Sequence, residues 1–269
     1  MRRLDQDGAG KPRKGIAVLR IELHRAGEKV LLQLKALQRV RLVVRNNPSH
    51  DPEIATPYGM AAFGYAQRKM NGWMIDRQQE IKEAARLVDR AVELGKDDSV
   101  ALSSAGYARL RVLCDIGGAA ALVDRALALN PNLAQASYSA SFVRNCNGEP
   151  ELALQHLSRV MRLSPIDPFM YMVHTGISLA HFLAGRYDDA SSNAERSLVD
   201  NPNFHPALRM AAASHALAGR LAQAKKAAAH MRQLDPALRV SHLNEILPLR
   251  RPDDSSRFAE GLRLAGLPE

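Results

Sequence analysis

Residues 185–202 read GRYDDASSNAERSLVDNP, and the spacing of three residues in this stretch recurs along the chain. Gly185 lies seventeen residues before Pro202, and Ala190 lies twelve residues before it. Three more stretches place an alanine twelve residues before a proline, and the prolines are 34, 37 and 34 residues apart. The four prolines are Pro131, Pro165, Pro202 and Pro236. The chain therefore contains an internal repeat.

Small residues mark the same two points in each repeat. The alanines are Ala119, Ala153, Ala190 and Ala224, and the residues seventeen before the prolines are Cys114, Gly148, Gly185 and Gly219. A period near 34 with these marks is typical of tetratricopeptide repeats (TPRs), each made of two antiparallel helices. The alanine allows the helices to cross closely, the glycine ends the first helix in a left-handed conformation, and the proline ends the unit. The sequence predicts an all-α, TPR-like superhelical solenoid.

The repeat pattern predicts about five helix pairs between residues 53 and 247. The pairs cover residues 57–96, 100–131, 132–165, 168–202 and 203–236, and a further helix follows over 237–247. The first pair lacks the terminal proline, and terminal repeats are often atypical in this way. Within residues 248–269 we expect a capping helix that presents Phe258, Leu262 and Ala265 on one face.

Residues 1–52 read as a basic arm and linker. Residues 1–50 hold 12 Lys and Arg against 4 Asp and Glu, whereas residues 51–269 hold 25 against 24. The glycines and charges at the start predict partial disorder. Two alternatives remain for the rest of the arm: a β-hairpin over residues 16–37, which we favour, or one amphipathic helix over 28–45.

The basic arm raises the question of nucleic-acid binding. Arg39, Arg41 and Arg45 have a compatible spacing. No aromatic side chains accompany them to stack on bases, as single-strand binders use. The sequence therefore favours a solvated tail over a nucleic-acid partner.

No motif for catalysis, cofactor binding or metal binding stands out. A Gly-rich phosphate loop is missing, and the nine histidines lack the spacing of a zinc site. The two cysteines, Cys114 and Cys146, indicate no disulfide framework, so a reducing cytoplasm is the expected location. Charges interrupt the apolar runs between residues 16 and 44, which fall short of the ~20 apolar residues that span a membrane. We expect no catalytic residue, cofactor, metal or membrane span.

Because no reactive motif is found, we expect the function to lie in a binding surface. In a TPR solenoid the first helices of successive units line a concave groove. The middle units here place an apolar strip in that groove, formed by Tyr138, Phe142, Met172, Leu179 and Phe182. Such a strip suits an amphipathic helix or an extended peptide of a protein partner, and arginines at its flanks could hold carboxylates. The predicted groove residues are Arg111, Gln135, Tyr138, Phe142, Asn145, Met172, Thr175, Leu179, Phe182 and Arg209. The alternative is that the chain's own terminal helix, or a second copy, fills the strip.

Five stretches carry a resemblance to a known family: SPIDPFM at 164–170, FLAGRYDDA at 182–190, NPNF at 201–204, LPLRRPDD at 247–254 and GLRLAGLPE at 261–269. They resemble the C-terminal TPR region of bacterial class III adenylate/guanylate cyclases, and the resemblance covers about residues 55–269. It implies a noncatalytic scaffold, the regulatory or oligomerisation tail of a signalling protein.

The chain departs from that family at its N-terminal end. The cyclases carry their chemistry in an α/β domain, which is much longer than the roughly 55 residues that precede the first repeat here. No catalytic position matches, so no cyclase residue is carried over. We expect a remnant or fragment without cyclase activity of its own, although the resemblance by itself would suggest cyclic-nucleotide synthesis.

Overall fold

A computed structural model describes residues 53–269, and this part of the chain is built from α-helices without a strand. The predicted all-α fold class is therefore confirmed for the described residues. The hairpin expected at 16–37, the alternative helix at 28–45 and the basic positions Arg39, Arg41 and Arg45 lie outside the described residues.

Ten helices form five antiparallel pairs. Their bounds are α1 Thr56–Met70 and α2 Arg77–Leu94; α3 Ser99–Leu113 and α4 Ile116–Leu129; α5 Ala134–Asn147 and α6 Pro150–Leu163; α7 Met170–Leu183 and α8 Tyr187–Asp200; α9 His205–Leu217 and α10 Leu221–Leu234. The first helices of the pairs, α1, α3, α5, α7 and α9, pack against one another in chain order, and we call them the inner helices. The other five are the outer helices.

The repeat residues lie where the helices cross and turn. Ala119, Ala153, Ala190 and Ala224 are all fully buried, each early in an outer helix. The residues that end the inner helices α3, α5, α7 and α9 adopt positive φ: Cys114, Gly148, Gly185 and Gly219. Cys114 has a φ of 58° despite its side chain, and glycine is the residue that adopts this conformation without steric cost.

The four repeat prolines lie exposed in the loops that leave the outer helices. The residue before each proline is extended, with φ between −138° and −142°. This is the conformation that a following proline imposes, because its ring clashes with a helical predecessor. Each proline therefore ends its outer helix and directs the chain into the next pair.

A local cap sets the start of one helix, and one predicted helix differs in the structure. The outer helix of the first pair begins at Arg77, because the carboxylate of Asp76 accepts a hydrogen bond from the backbone N–H of Gln79 and caps the helix. The helix predicted over 237–247 is wrong as a continuous element. A 3₁₀ turn at Val240–His242 and a four-residue helix, α11 Leu243–Ile246, take its place.

Local capping and a distant contact explain why residues 237–247 do not form one helix. The side chain of Asp235 accepts from the backbone N–H of Ala237, which holds a turn there. Val240 then donates its backbone N–H to the carbonyl of Pro268, 2.9 Å away. The last helix, α12 Pro252–Leu264, lies within residues 248–269, where the sequence predicts a capping helix. Phe258, Leu262 and Ala265 are buried, as the face predicted from the sequence requires.

The first and fifth pairs touch each other. Arg209 on α9 donates a hydrogen bond to the carbonyl of Met70 at the end of α1, at 3.1 Å. Gly72, just after α1, lies against the side chains of Asp235 and His205. The five pairs therefore turn back on themselves, and the inner helices surround an interior.

Candidate functional site

The predicted groove residues lie on the inner helices α3, α5, α7 and α9, facing this interior. Nine of the ten are buried, with exposed fractions between 0% and 8%, and only Gln135 is partly exposed. Its amide donates to the hydroxyl of Ser104 at 2.7 Å. The amide of Asn145 donates to the carbonyl of Gly176 at 3.1 Å, which ties α5 to α7. The binding of a partner by these residues stays a prediction.

An aromatic cluster forms the part of the interior nearest α1. The ring of Tyr107 lies 4.9 Å from that of Phe63, 5.5 Å from Tyr138 and 5.8 Å from Phe142, measured between centroids. Burial raises the pKa of Tyr107, and it raises that of Tyr138 well above its ordinary value. Both hydroxyls therefore stay protonated near neutral pH, and they lie 3.4 Å apart. The sequence analysis did not select Tyr107. The residue before it, Gly106, is the small residue at which α3 closely approaches α4.

Two arginines lie deep in the same interior. Arg111 and Arg209 are 3% and 5% exposed, and both line a small cavity with Phe142, Thr175 and Leu179. The guanidinium of Arg111 lies over the ring of Phe142, 5.4 Å from its centroid. Desolvation and the nearby Arg111 charge lower the pKa of Arg209 to about 9. Arg209 still carries its charge at neutral pH, because this pKa lies well above 7.

Residues 237–269, which we call the C-terminal segment, cover this interior. Ile246, Leu247 and Phe258 complete the lining of the cavity. The ring of Phe258 meets that of Phe182 edge-on, with centroids 5.6 Å apart. The chain's own C-terminal segment, one of the occupants that the sequence leaves open, lies against the part of the apolar strip formed by Phe142, Leu179 and Phe182.

Arginines fix the C-terminal segment to the ends of the inner helices. The backbone N–H of Arg250 donates to the carbonyl of Cys146 at 2.8 Å, and the side chain of Arg251 donates to that of Gly148 at 2.7 Å. Arg257 reaches the carbonyl of Leu183 at 3.1 Å. The last carbonyls of a helix lack partners within the helix and favour positive charge. The segment therefore uses the C-terminal ends of α5 and α7 as its anchor points.

Helix α12 has its own charged cluster and close packing. Asp254 is buried and accepts hydrogen bonds from Arg251, at 2.9 Å, and from Arg257. Gly261 packs so closely on α9 that a Cβ there would lie 2.9 Å from the backbone carbonyl oxygen of Ala213. The close approach at Gly261 holds α12 against α9, whereas the Asp254 cluster orients two arginines that reach the ends of α5 and α7.

Reactive groups are sparse in residues 53–269. No cluster of three or more His, Cys, Asp or Glu side chains that could hold a metal ion occurs in this range. Burial raises the pKa of the Cys146 thiol to about 12, so this thiol is not a nucleophile near neutral pH. Within the same range, no helix combines the length and the apolar character needed to cross a membrane.

Two solved structures are similar in fold. PilW, a widely conserved type IV pilus biogenesis factor, is 17% identical with a TM-score of 0.53, and the match covers 77% of this chain and 88% of PilW. TTC0263, a thermophilic TPR protein of Thermus thermophilus, is 20% identical with a TM-score of 0.50, over 74% of this chain and 99% of TTC0263. The fold is a TPR-like solenoid. No protein-family model matches the sequence, and no curated protein matches it.

Proposed function

We propose that the chain is a noncatalytic interaction module whose inner helices receive an amphipathic helix. One observation carries this proposal: the C-terminal segment lies in the interior with Phe258 against Phe182 and Leu247 in the cavity lining. A surface that holds one helix of this kind suits another with the same apolar face and arginines at corresponding positions. Helix-in-groove binding works through such spaced apolar anchors.

The partner that this arrangement favours is a protein segment that competes with α12. A tethered segment acts at an effective concentration on the order of millimolar, so it excludes weak competitors. A second copy of the chain could supply its own α12, since exchange of an identical element is a low-cost route to a dimer. Self-association and capture of a foreign helix are therefore two forms of one binding mode.

A trans-complementation experiment tests the proposal. A fluorescein-labelled peptide of residues 248–269 is titrated with the full chain carrying Phe258→Ser, in which the resident helix has lost its aromatic anchor. We expect fluorescence anisotropy to rise with this variant and to stay flat with the unmodified chain. A labelled peptide that itself carries Phe258→Ser should not bind.

A matched control uses the exposed side of the same helix. Leu264 lies on α12 and is 43% exposed, so Leu264→Ser should leave the interior closed and the labelled peptide unbound. Circular dichroism checks that each variant keeps its helix content. Failure of the peptide to bind a folded Phe258→Ser chain would refute the proposal.

The five quoted stretches support a finer proposal about the parent protein. We propose that the module is the regulatory or oligomerisation tail of a cytoplasmic signalling protein resembling class III cyclases, and that it has no cyclase activity alone. The test incubates the purified chain with ATP or GTP and Mn²⁺ and measures cyclic nucleotide. Formation of cyclic AMP or cyclic GMP above a no-protein control would overturn the noncatalytic assignment.

A further inference from the structure

The cavity beneath the C-terminal segment is small and positively charged. It has a volume of about 20 Å³, enough for one water-sized or slightly larger occupant. Arg111 and Arg209 line it, together with apolar residues and Thr175, which carries a hydroxyl. That hydroxyl already donates to the carbonyl of Tyr171 at 3.0 Å and lies 2.9 Å from the hydroxyl of Ser197.

Arg111 lacks acceptors for much of its guanidinium. Its Nε and Nη1 atoms are buried and have no hydrogen-bond partner among the described residues. The ring of Phe142 beneath it contributes a cation–π contact but no acceptor atom. A buried N–H group without an acceptor is costly, and a buried charge without a counter-charge is more costly still.

Arg209 brings a second positive charge to the same cavity. Its Nη2 donates to the carbonyl of Met70, which satisfies that donor but supplies no negative charge. Asp235 favours the charged form of Arg209 through its own charge, but its side chain bonds to Ala237 and it is not part of the cavity lining. No carboxylate belongs to the lining.

Two other arginines of the described region have a carboxylate partner of the kind that the cavity lining lacks. Arg109, only two positions from Arg111 on α3, pairs with Asp115 at 2.7 Å. Arg68 pairs with Glu80 through two hydrogen bonds, at 2.6 Å and 2.8 Å. Arg109 and Arg68 are partly exposed and have counter-charges. Arg111 and Arg209 are more deeply buried and have no counter-charge in the cavity lining.

We infer that the cavity between Arg111 and Arg209 binds a small inorganic anion of the size of chloride. Such an ion would accept from the unpartnered N–H groups of Arg111 and offset the repulsion between two like charges. A monatomic halide suits this lining, in which only Arg111, Arg209 and Thr175 are polar, because the additional oxygens of sulfate, phosphate or a carboxylate would need hydrogen-bond donors of their own. The inference does not rest on the proposed function.

The experiment measures thermal unfolding of the full chain while chloride replaces gluconate at a constant ionic strength of about 0.15 M. A ligand that binds only the folded state raises the melting temperature with its concentration. We expect the melting temperature to rise by several degrees with chloride or bromide, and not with sulfate. Equal rises with all anions, or no rise, would overturn the inference.

Two variants on one helix localise the effect. Arg111→Met removes the unpartnered cation, so its melting temperature should not respond to chloride and in gluconate should equal or exceed that of the unmodified chain. Arg109→Met lowers stability through the loss of its pair with Asp115 but should keep the full chloride response. An unchanged response in Arg111→Met would refute the site.

Crystals of the unmodified chain provide a measurement that needs no variant. Soaking in bromide should give an anomalous peak between the guanidinium groups of Arg111 and Arg209. A cavity that holds only water, or bromide bound at surface arginines alone, would contradict the inference.

Discussion

The regular pairs and the C-terminal segment are held in place by contacts of different range. Between residues 99 and 236, helices pack mainly on neighbours in sequence, at alanines and glycines that recur at fixed intervals. The C-terminal segment has no such period, and Arg250 and Arg251 contact residues more than one hundred positions earlier. The regular pairs are specified locally, whereas the segment is placed by a surface that exists only after the pairs have folded.

This difference predicts two kinds of response to substitution. Stability in a solenoid is approximately a sum of terms for each repeat and each neighbour interface. A defect in a regular pair should therefore lower the stability of the stack. A defect in the C-terminal segment should instead release a cover and expose the interior.

The largest expected effect comes from Leu157→Ala in α6. Leu157 is fully buried, and its side chain reaches close to Gly176 on the next inner helix. Truncation leaves a cavity, and buried Leu→Ala changes cost about 2–5 kcal/mol. Urea unfolding measures the loss. Leu152 on the same helix is 44% exposed, so Leu152→Ala should change stability by only about 0.5 kcal/mol or less; equal losses would contradict this packing.

Acid should destabilise the contact between the first and fifth pairs. Burial, together with the charge of Arg209, lowers the pKa of His205 to about 4. An unfolded chain takes up the proton near the ordinary value of 6.5, so stability is complete above that pH and is lost as pH falls from 6.5 to 4. We expect a loss on the order of 2 kcal/mol, which His205→Gln should abolish.

Trp73, the one tryptophan in the chain, reports on this contact. It follows Gly72, which lies against His205. Fluorescence-monitored urea unfolding at pH 4 and at pH 7 measures the loss in the unmodified chain and in His205→Gln. If both proteins lose the same stability, other groups cause the acid effect.

Two glycine substitutions compare the regular fold with the C-terminal segment directly. Gly185 has a φ of +77°, and an added Cβ would meet no atom within 4 Å, so Gly185→Ala adds backbone strain alone. Such strain costs of order 1 kcal/mol or somewhat more. At Gly148, with a φ of +84°, a Cβ would also lie 2.3 Å from Nε of Arg251. We therefore expect Gly148→Ala to lower the free energy of unfolding by more than Gly185→Ala does.

A double-mutant cycle shows whether that extra cost belongs to the C-terminal segment. In a Phe258→Ser background the segment is released, so Gly148→Ala and Gly185→Ala should cost the same. Denaturant unfolding of the two glycine variants in each background, together with the unmodified chain and Phe258→Ser alone, measures the coupling, which arises only between residues that share contacts. A difference that persists in the Phe258→Ser background would mean that Gly148 matters for another reason.

The fold could be predicted because its signals are local. Gly185, Ala190 and Pro202 each act on the helix that contains or adjoins them, through φ, side-chain size and the missing N–H. Their period then gives the stack of helix pairs.

The closure of the interior, which buries the predicted groove residues, could not be predicted in the same way. The groove residues followed from their place in the period, but their burial depends on the contacts of Arg250 with Cys146 and of Arg209 with Met70. Neither contact leaves a periodic trace in the sequence. Tyr107 was missed for a related reason. Its ring matters because it packs with Phe63, Tyr138 and Phe142, and these rings come together only in the folded chain.

The smallest expected effect is at Cys114, the one described residue other than glycine with positive φ. Left-handed backbone costs an ordinary residue about 1 kcal/mol, and glycine avoids this cost while gaining freedom in the unfolded chain. The thiol makes only long contacts, 3.7 Å to the carbonyl of Glu245 and 3.8 Å to Nζ of Lys69. Cys114→Gly should therefore stabilise by a few tenths of a kcal/mol, measured by urea unfolding. A loss instead would show that the thiol contributes to holding the C-terminal segment, and that loss should disappear in the Phe258→Ser background.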